Sequence, residues 1–210
     1  MSIYVVGSSK NKFLPLNDIR NKFLIDEPHE GANIDFLNPW YCELTGLYYM
    51  WRHCTDDIVG LEHYRRYFVN DDGELLSNER VRHILMNYDI VMRRFEFPTN
   101  KPNIMSYFSN GRKPYLLNFI KLLDDDYREF ITNAIENKHY FAQCNMFICT
   151  RNLLNAYCLW LFPQLAKIPF DVFIKSPRIV GYLAEFIFGW FMEFNHKTIY
   201  WAKTITLSKS

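Results

Sequence analysis

No charge of one sign dominates this chain. At a net +1 over 210 residues, no global field draws it toward nucleic acid or an anionic membrane, so any anion site has to be built locally. No apolar run is long enough to span a bilayer. The most apolar stretch, GYLAEFIFGWFMEF (181–194), carries Glu185 and Glu193. It reads as a core helix, with a membrane-surface helix, and hence peripheral membrane contact, as the other reading. There is no CxxC pair. Cys42, Cys54, Cys144, Cys149 and Cys158 are odd in number and mostly lie in apolar runs, which speaks for reduced thiols and a cytoplasmic chain rather than a disulfide framework. The opening MSIYVVGSSKNK has no basic leader and no cleavage site, so no signal peptide is expected.

Catalytic signatures are missing as well. His29, His53, His83, His139 and His196 show no HxxxH or HxH spacing, which removes a zinc site. GxSxG, GxGxxG and Walker patterns do not occur, and acyl transfer, dinucleotide chemistry and ATP hydrolysis lose most of their support. Internal repeats and low-complexity segments are also lacking.

What the chain does have is an aromatic load of 18%, suited both to a core and to stacking on planar bases or sugar faces. Its length suits one core and a single domain over 1–210, compatible with being the N-terminal part of a longer chain. IYVV (3–6) reads as a strand ending in a Gly7-Ser8-Ser9 turn, and the pattern is irregular from there to about residue 38. Leu44, Leu47, Tyr48 and Trp51 then mark one helical face. DDIVGLEHY and YDIVM read as strands with a helix from Asn78 between them. FEFPTNKPN (95–103) reads as a loop because of its prolines. Two helical stripes follow, then a CNMFICT strand (144–150), two further helices and a final TIYWAKTITL strand. This alternation predicts an α/β fold, a mostly parallel mixed sheet with helices on both faces, and ligands beyond the carboxyl ends of its strands.

Charged residues gather at those ends. In GLEHYRRYF (60–68) the arginines Arg65 and Arg66 have the fork geometry that matches phosphate. Glu62 and His63 are donors for a divalent cation, though two neighbours make an incomplete set. A solvated strand end with surface ion pairs explains the segment equally well. Asp124, Asp125 and Asp126 look like a metal motif, but the stripe starting at Tyr127 makes them the favoured acidic start of a helix. Asp71 and Asp72 before Gly73 read as a turn. Glu185 lies off the apolar stripe of its helix, where it suits either solvation or a general base.

The blocks NPWYCELTGLYYMW, DIVGLEHYRRYF, YDIVM, CNMFICTRNLLNAYCLWLFP and RIVGYLAEFIFGWFM resemble, in order and over nearly the whole chain, a bacterial family tied to capsular polysaccharide synthesis. That family, long catalogued as a domain of unknown function, includes galactofuranosyltransferase-like members. The first domain of a chlorovirus-encoded glycosyltransferase is also similar. The resemblance implies a GT-A-like domain that transfers a hexosyl or deoxyhexosyl unit from a UDP-sugar to a saccharide or glycan acceptor. It places Val6, Gly7 and Ser8 near the uracil and Arg65 or Arg66 on the pyrophosphate. Asn145 falls on the donor sugar, and Glu62 and His63 stand where a DxD motif would hold Mn2+ or Mg2+. Glu185 corresponds to an acidic residue of the family and is the catalytic base if the mechanism inverts, whereas a retaining mechanism would need none. A true DxD is absent, and Phe186 stands where the family usually has an arginine after the acid. A catalytically inactive nucleotide-sugar or carbohydrate-binding module is the main alternative. A single-stranded nucleic-acid binder, suggested by the aromatics among the arginines of HYRRYF, is disfavoured because no basic stripe extends beyond them.

Overall fold

Five of the six strands along the main path of the sheet point the same way, in the order β2-β1-β3-β6-β5-β7, and β6 alone runs against them. These are β1 (Ser2–Gly7), β2 (Arg20–Leu24), β3 (Ile58–His63), β5 (Ile90–Glu96), β6 (Tyr140–Thr150) and β7 (Ile199–Trp201). Off that path, β4 (Arg66–Val69) pairs with β3 and with β8 (Lys203–Thr206). The computed structural model describes residues 1–101, 103–107, 113–138 and 140–208, so His139 and Pro102 lie outside the described residues.

The helices sort by face. Along β3 and β6, Val59, Leu61, Phe147 and Cys149 point into the larger core under α2 (Leu44–His53), α7 (Arg151–Ala166) and α9 (Ile179–Phe194). Ile58 and Ile148 point to the other face, where α3 (Asn78–Leu85) supplies Val81 and Ile84. The expected α/β fold, a mostly parallel mixed sheet with helices on both faces, is therefore what the chain adopts. α9 is buried along most of its length, which is why its sequence is apolar on every side. Its Gly189 rides against β6: a Cβ there would sit 2.7 Å from Ala142 Cβ.

Several boundaries differ from the sequence reading. The irregular stretch after residue 9 contains β2, whose half-exposed RNKFL carries too little apolar alternation to be seen. GLEHYRRYF is not one strand end but two strands, β3 and β4, joined at a tight turn where His63 pairs with Arg66. The final strand breaks at Ala202 into β7 and β8. A short helix, α8 (Phe170–Lys175), precedes α9. β5 runs to Glu96, into the stretch expected to be a loop. Asp125 and Asp126 occupy the first turn of α6 (Asp125–Asn137), as expected for a favourable helix dipole.

The alternation of β3 decides the fate of its two polar residues. Successive side chains of a strand face opposite sides, so Glu62 follows Ile58 and Gly60 toward the α3 face while His63 follows Val59 and Leu61. Glu62 is 1% exposed and meets the equally hidden Arg20 in a bidentate pair, Nε to Oε2 and Nη2 to Oε1, both 2.8 Å. Its Oε1 also accepts from the Phe68 amide at 3.0 Å, and Arg20 Nη1 donates to the Leu76 carbonyl. The pair ties β2, β3 and β4 together. Removing one partner of such a pair strands a buried charge at a cost of about 3–5 kcal/mol, so Glu62→Ala should lower the urea-unfolding free energy by about that much. A loss below about 1 kcal/mol would show that the pair does not hold the β3–β4 turn.

Candidate active site

β1 and β3 end side by side, with Val6 opposite His63, and because β6 runs the other way its first half lies at the same end of the sheet. A groove of three joined lobes opens there. The inner lobe, about 340 Å3, is lined by Glu43, His63, Arg66, Cys144, Tyr182 and Glu185, among others. The middle lobe, about 450 Å3, takes Val6, Gly7, Ser8, Asn11, Ile25 and Asn38 as walls. The outer lobe, about 820 Å3, is bounded by the 10–15 segment and by Leu207 and Ser208. Arg65 and Arg178 line all three.

The backbone around the inner lobe is strained. Among the described residues five non-glycine residues have positive φ; Cys42 (53°), Cys144 (73°) and Arg178 (65°) line this lobe, and Asn145 (50°) lies directly behind Cys144. Each such residue costs on the order of 1–3 kcal/mol and persists only where its surroundings hold it. At β6 the cause is visible. Between the pairs Met92–Phe147 and Arg94–Ala142, β5 advances two residues and β6 five, so β6 bulges toward the groove. The bulge turns the Cys144 amide onto Glu185 Oε1 at 2.8 Å. The Asn145 side chain donates to Glu43 Oε1 at 2.8 Å and to the Gly181 carbonyl at 3.2 Å. Gly7 is needed for a different reason: a Cβ there would come within 2.8 Å of both Phe13 and Tyr64, which form the wall between the middle and outer lobes.

The two carboxylates are electrically uncomfortable. Burial, and then the neighbouring Glu43 charge, push Glu185 up to about 7. Burial likewise raises Glu43. The arginines do not relieve them by ion pairing. The Arg66 side chain makes no hydrogen bond or ion pair among the described residues, and the Nε atoms of Arg65 and Arg66 are buried without partners. Arg178 donates only weakly, to Cys42 Sγ at 3.4 Å, and Arg93 to Cys144 Sγ at 3.3 Å. Guanidiniums held near carboxylates yet left unsatisfied fit an anion that arrives from outside. Burial and then Arg66, Arg65 and Arg178 hold His63 down at about 3, so it is neutral and offers hydrogen bonds rather than charge.

Of the residues singled out in the sequence, Val6, Gly7, Ser8, His63, Arg65, Arg66 and Glu185 are brought together in one groove. Two are not. Glu62 faces the opposite side of the sheet and is consumed by Arg20, because the pleat sends neighbours to opposite faces. Asn145 is 3% exposed and holds Glu43 instead of facing the cavity. With Glu62 gone, no three His, Cys, Asp or Glu side chains among the described residues stand close enough to hold an ion together. His63 moreover sits in the field of three arginines, so the residues present do not fit the divalent cation expected at this corner. Sequence reasoning missed Glu43 and Arg178. Glu43 stands immediately before the apolar stripe of α2, and Arg178 opens the RIVGYLAEF block. A lone charge at each position carried no signal until the turns at Cys42 and Arg178 aimed them at one cavity.

The match to a family profile, described as Domain of unknown function (DUF4422), spans residues 3–197. The chain belongs to this family. Its fold is shared with a solved structure titled "WbbM bifunctional glycosytransferase apo structure", at a TM-score of 0.78 and 18% identity, covering 99% of this chain and 45% of that one. The chain thus spans less than half the length of that protein. No curated protein matches it in sequence.

The Glu43–Glu185 coupling can be measured directly. In 13C-detected titrations Glu185 should ionise near pH 7. Glu43→Gln should lower that midpoint, since removing the neighbouring negative charge makes the ionised form of Glu185 less costly. An unchanged midpoint would separate the two carboxylates.

Proposed function

We propose that this protein is a glycosyltransferase that takes its sugar from a nucleoside diphosphate donor, with a UDP-sugar as the expected form, and passes it to a saccharide hydroxyl. The observation that carries this reading is the pairing, in one groove, of half-buried guanidiniums whose hidden Nε atoms lack partners with a half-buried carboxylate tuned close to neutral pH. The fold shared with a glycosyltransferase supports it.

On this reading the nucleoside lies in the middle lobe against Val6, Gly7 and Ser8, and the sugar points into the inner lobe. Attack by the acceptor oxygen on the anomeric carbon forms the new glycosidic bond and breaks the bond to the β-phosphate oxygen. The electron pair leaves with the nucleoside diphosphate. Arg65, Arg66 and Arg178 offset the charge that develops there, as donors already held at the groove. Glu185 accepts the acceptor's proton. It can do so once ionised, and its raised pKa makes it a base matched to neutral pH. The Cys144 amide holds one of its oxygens and so aims the other. Glu43, held by Asn145, keeps the base from ionising too early. No step is routed through a metal, because the donor set does not fit one.

The test is binding and turnover with UDP-sugars. Arg66→Ala should weaken UDP binding by about tenfold or more, the worth of one charge-assisted hydrogen bond, whereas Asp125→Ala, on the exposed start of α6, should leave it unchanged. Calorimetry giving equal affinities for the two variants would sink the arginine assignment. In wild type, kcat/KM should rise with pH through about 7 as Glu185 ionises. Binding of UDP-sugars with no UDP released, whatever the acceptor, would leave an inactive nucleotide-sugar-binding module.

A further inference from the structure

With the donor in the inner and middle lobes, the outer one, the largest of the three at about 820 Å3, is left without a role. Its charge is one-sided. Lys10, Lys12, Arg65 and Arg178 line it, and among the described residues no carboxylate does. Asp26 lies within electrostatic reach of Lys10, but its two oxygens are taken by the Ser9 amide and hydroxyl at 2.7 Å. Neither lysine makes a hydrogen bond or ion pair among the described residues. Phe13 and Tyr64 form an aromatic side to the same cavity, their ring centres 6.3 Å apart. Asp26 near Lys10 and Glu43 near Arg178 offset this charge only in part, and an anion seated among the four cations relieves the remaining repulsion.

The lobe is also well placed. Arg65 and Arg178 line it together with the inner lobe, so a group seated there lies one arginine away from Glu185. It is separated from the nucleoside walls by the Gly7, Phe13 and Tyr64 contact. We propose that the outer lobe is the acceptor subsite, and that it selects a saccharide bearing a phosphate or diphosphate ester. The ester binds Lys10, Lys12 and the outward faces of Arg65 and Arg178, and a sugar face lies on Phe13 and Tyr64. The acceptor hydroxyl then reaches the inner lobe. This inference rests on the donor occupying the other two lobes.

The experiment is a calorimetric titration of inorganic pyrophosphate into protein saturated with UDP, with glucose 1-phosphate as a second titrant to separate diphosphate from monophosphate recognition. A further site is expected for at least one of them in the presence of UDP. It should weaken at least tenfold in Lys10→Gln/Lys12→Gln while UDP affinity stays within twofold. Both lysines are exposed on a loop, so the variant should fold, and Lys121→Gln, in the exposed turn just after α5 (Lys113–Ile120), serves as the control. Absence of any further site in the UDP complex would overturn the proposal while leaving the glycosyl-transfer reading intact. A tenfold loss of UDP affinity in the lysine variant would also overturn it, by assigning the lobe to the donor. Failure of wild type to bind UDP would bring down both.

Discussion

The buried pair between Arg20 and Glu62 is the interaction on which the geometry of the groove depends. A charge with no access to water is tolerated only when every donor and acceptor around it is matched. Here the matching reaches across β2, β3, β4 and the Leu76 carbonyl. Glu62 takes the Phe68 amide just past the turn, so the turn between β3 and β4 cannot slide without stranding a carboxylate. The tip of that turn carries Arg65 and Arg66. Further contacts hold it in place: the Tyr64 amide donates to the Val6 carbonyl, the Tyr67 hydroxyl to the Tyr64 carbonyl, and the Leu207 amide to the Arg65 carbonyl. One face of β3 thus anchors what the other face presents.

The same logic of strain held by surroundings runs through the rest of the site. Cys42, Cys144, Asn145 and Arg178 adopt left-handed backbone conformations that glycine would adopt more cheaply. Cys42 and Arg178 lie just before α2 and α9, and Cys144 and Asn145 lie within the bulge of β6. α9 is locked against β6 by the Gly189 contact, and the bulge in β6 has no room to relax. The result is a carboxylate pair and several guanidiniums that are near one another without neutralising one another. Stability alone would pair them. A groove that keeps both sets available fits the two proposed substrates, a donor carrying negative charge and an acceptor hydroxyl with a proton to give up.

Much of the fold was legible in the residues. IYVV, DIVGLEHY and YDIVM mark β1, β3 and β5 through β-branched and aromatic runs, and the stripes of α2, α7 and α9 mark helices through a period near 3.6. β2 was not legible, because half its side chains are solvated. Glu185, Arg65 and Arg66 stood out as charges at element ends. Glu62 stood out for the same reason and misled: its charge pointed to a site, and the parity of the strand sent it into an ion pair instead.

What the sequence by itself determined is the alternation of strands and helices, and with it the end of the sheet at which a ligand can bind, since those follow from local propensity and from the chirality of strand–helix–strand crossovers. The antiparallel course of β6, its bulge and the meeting of Glu43 with Glu185 were decided only by the tertiary structure. Residues 43, 144 and 185 are far apart along the chain, and what joins them is close packing and hydrogen-bond satisfaction across elements, which no local pattern encodes.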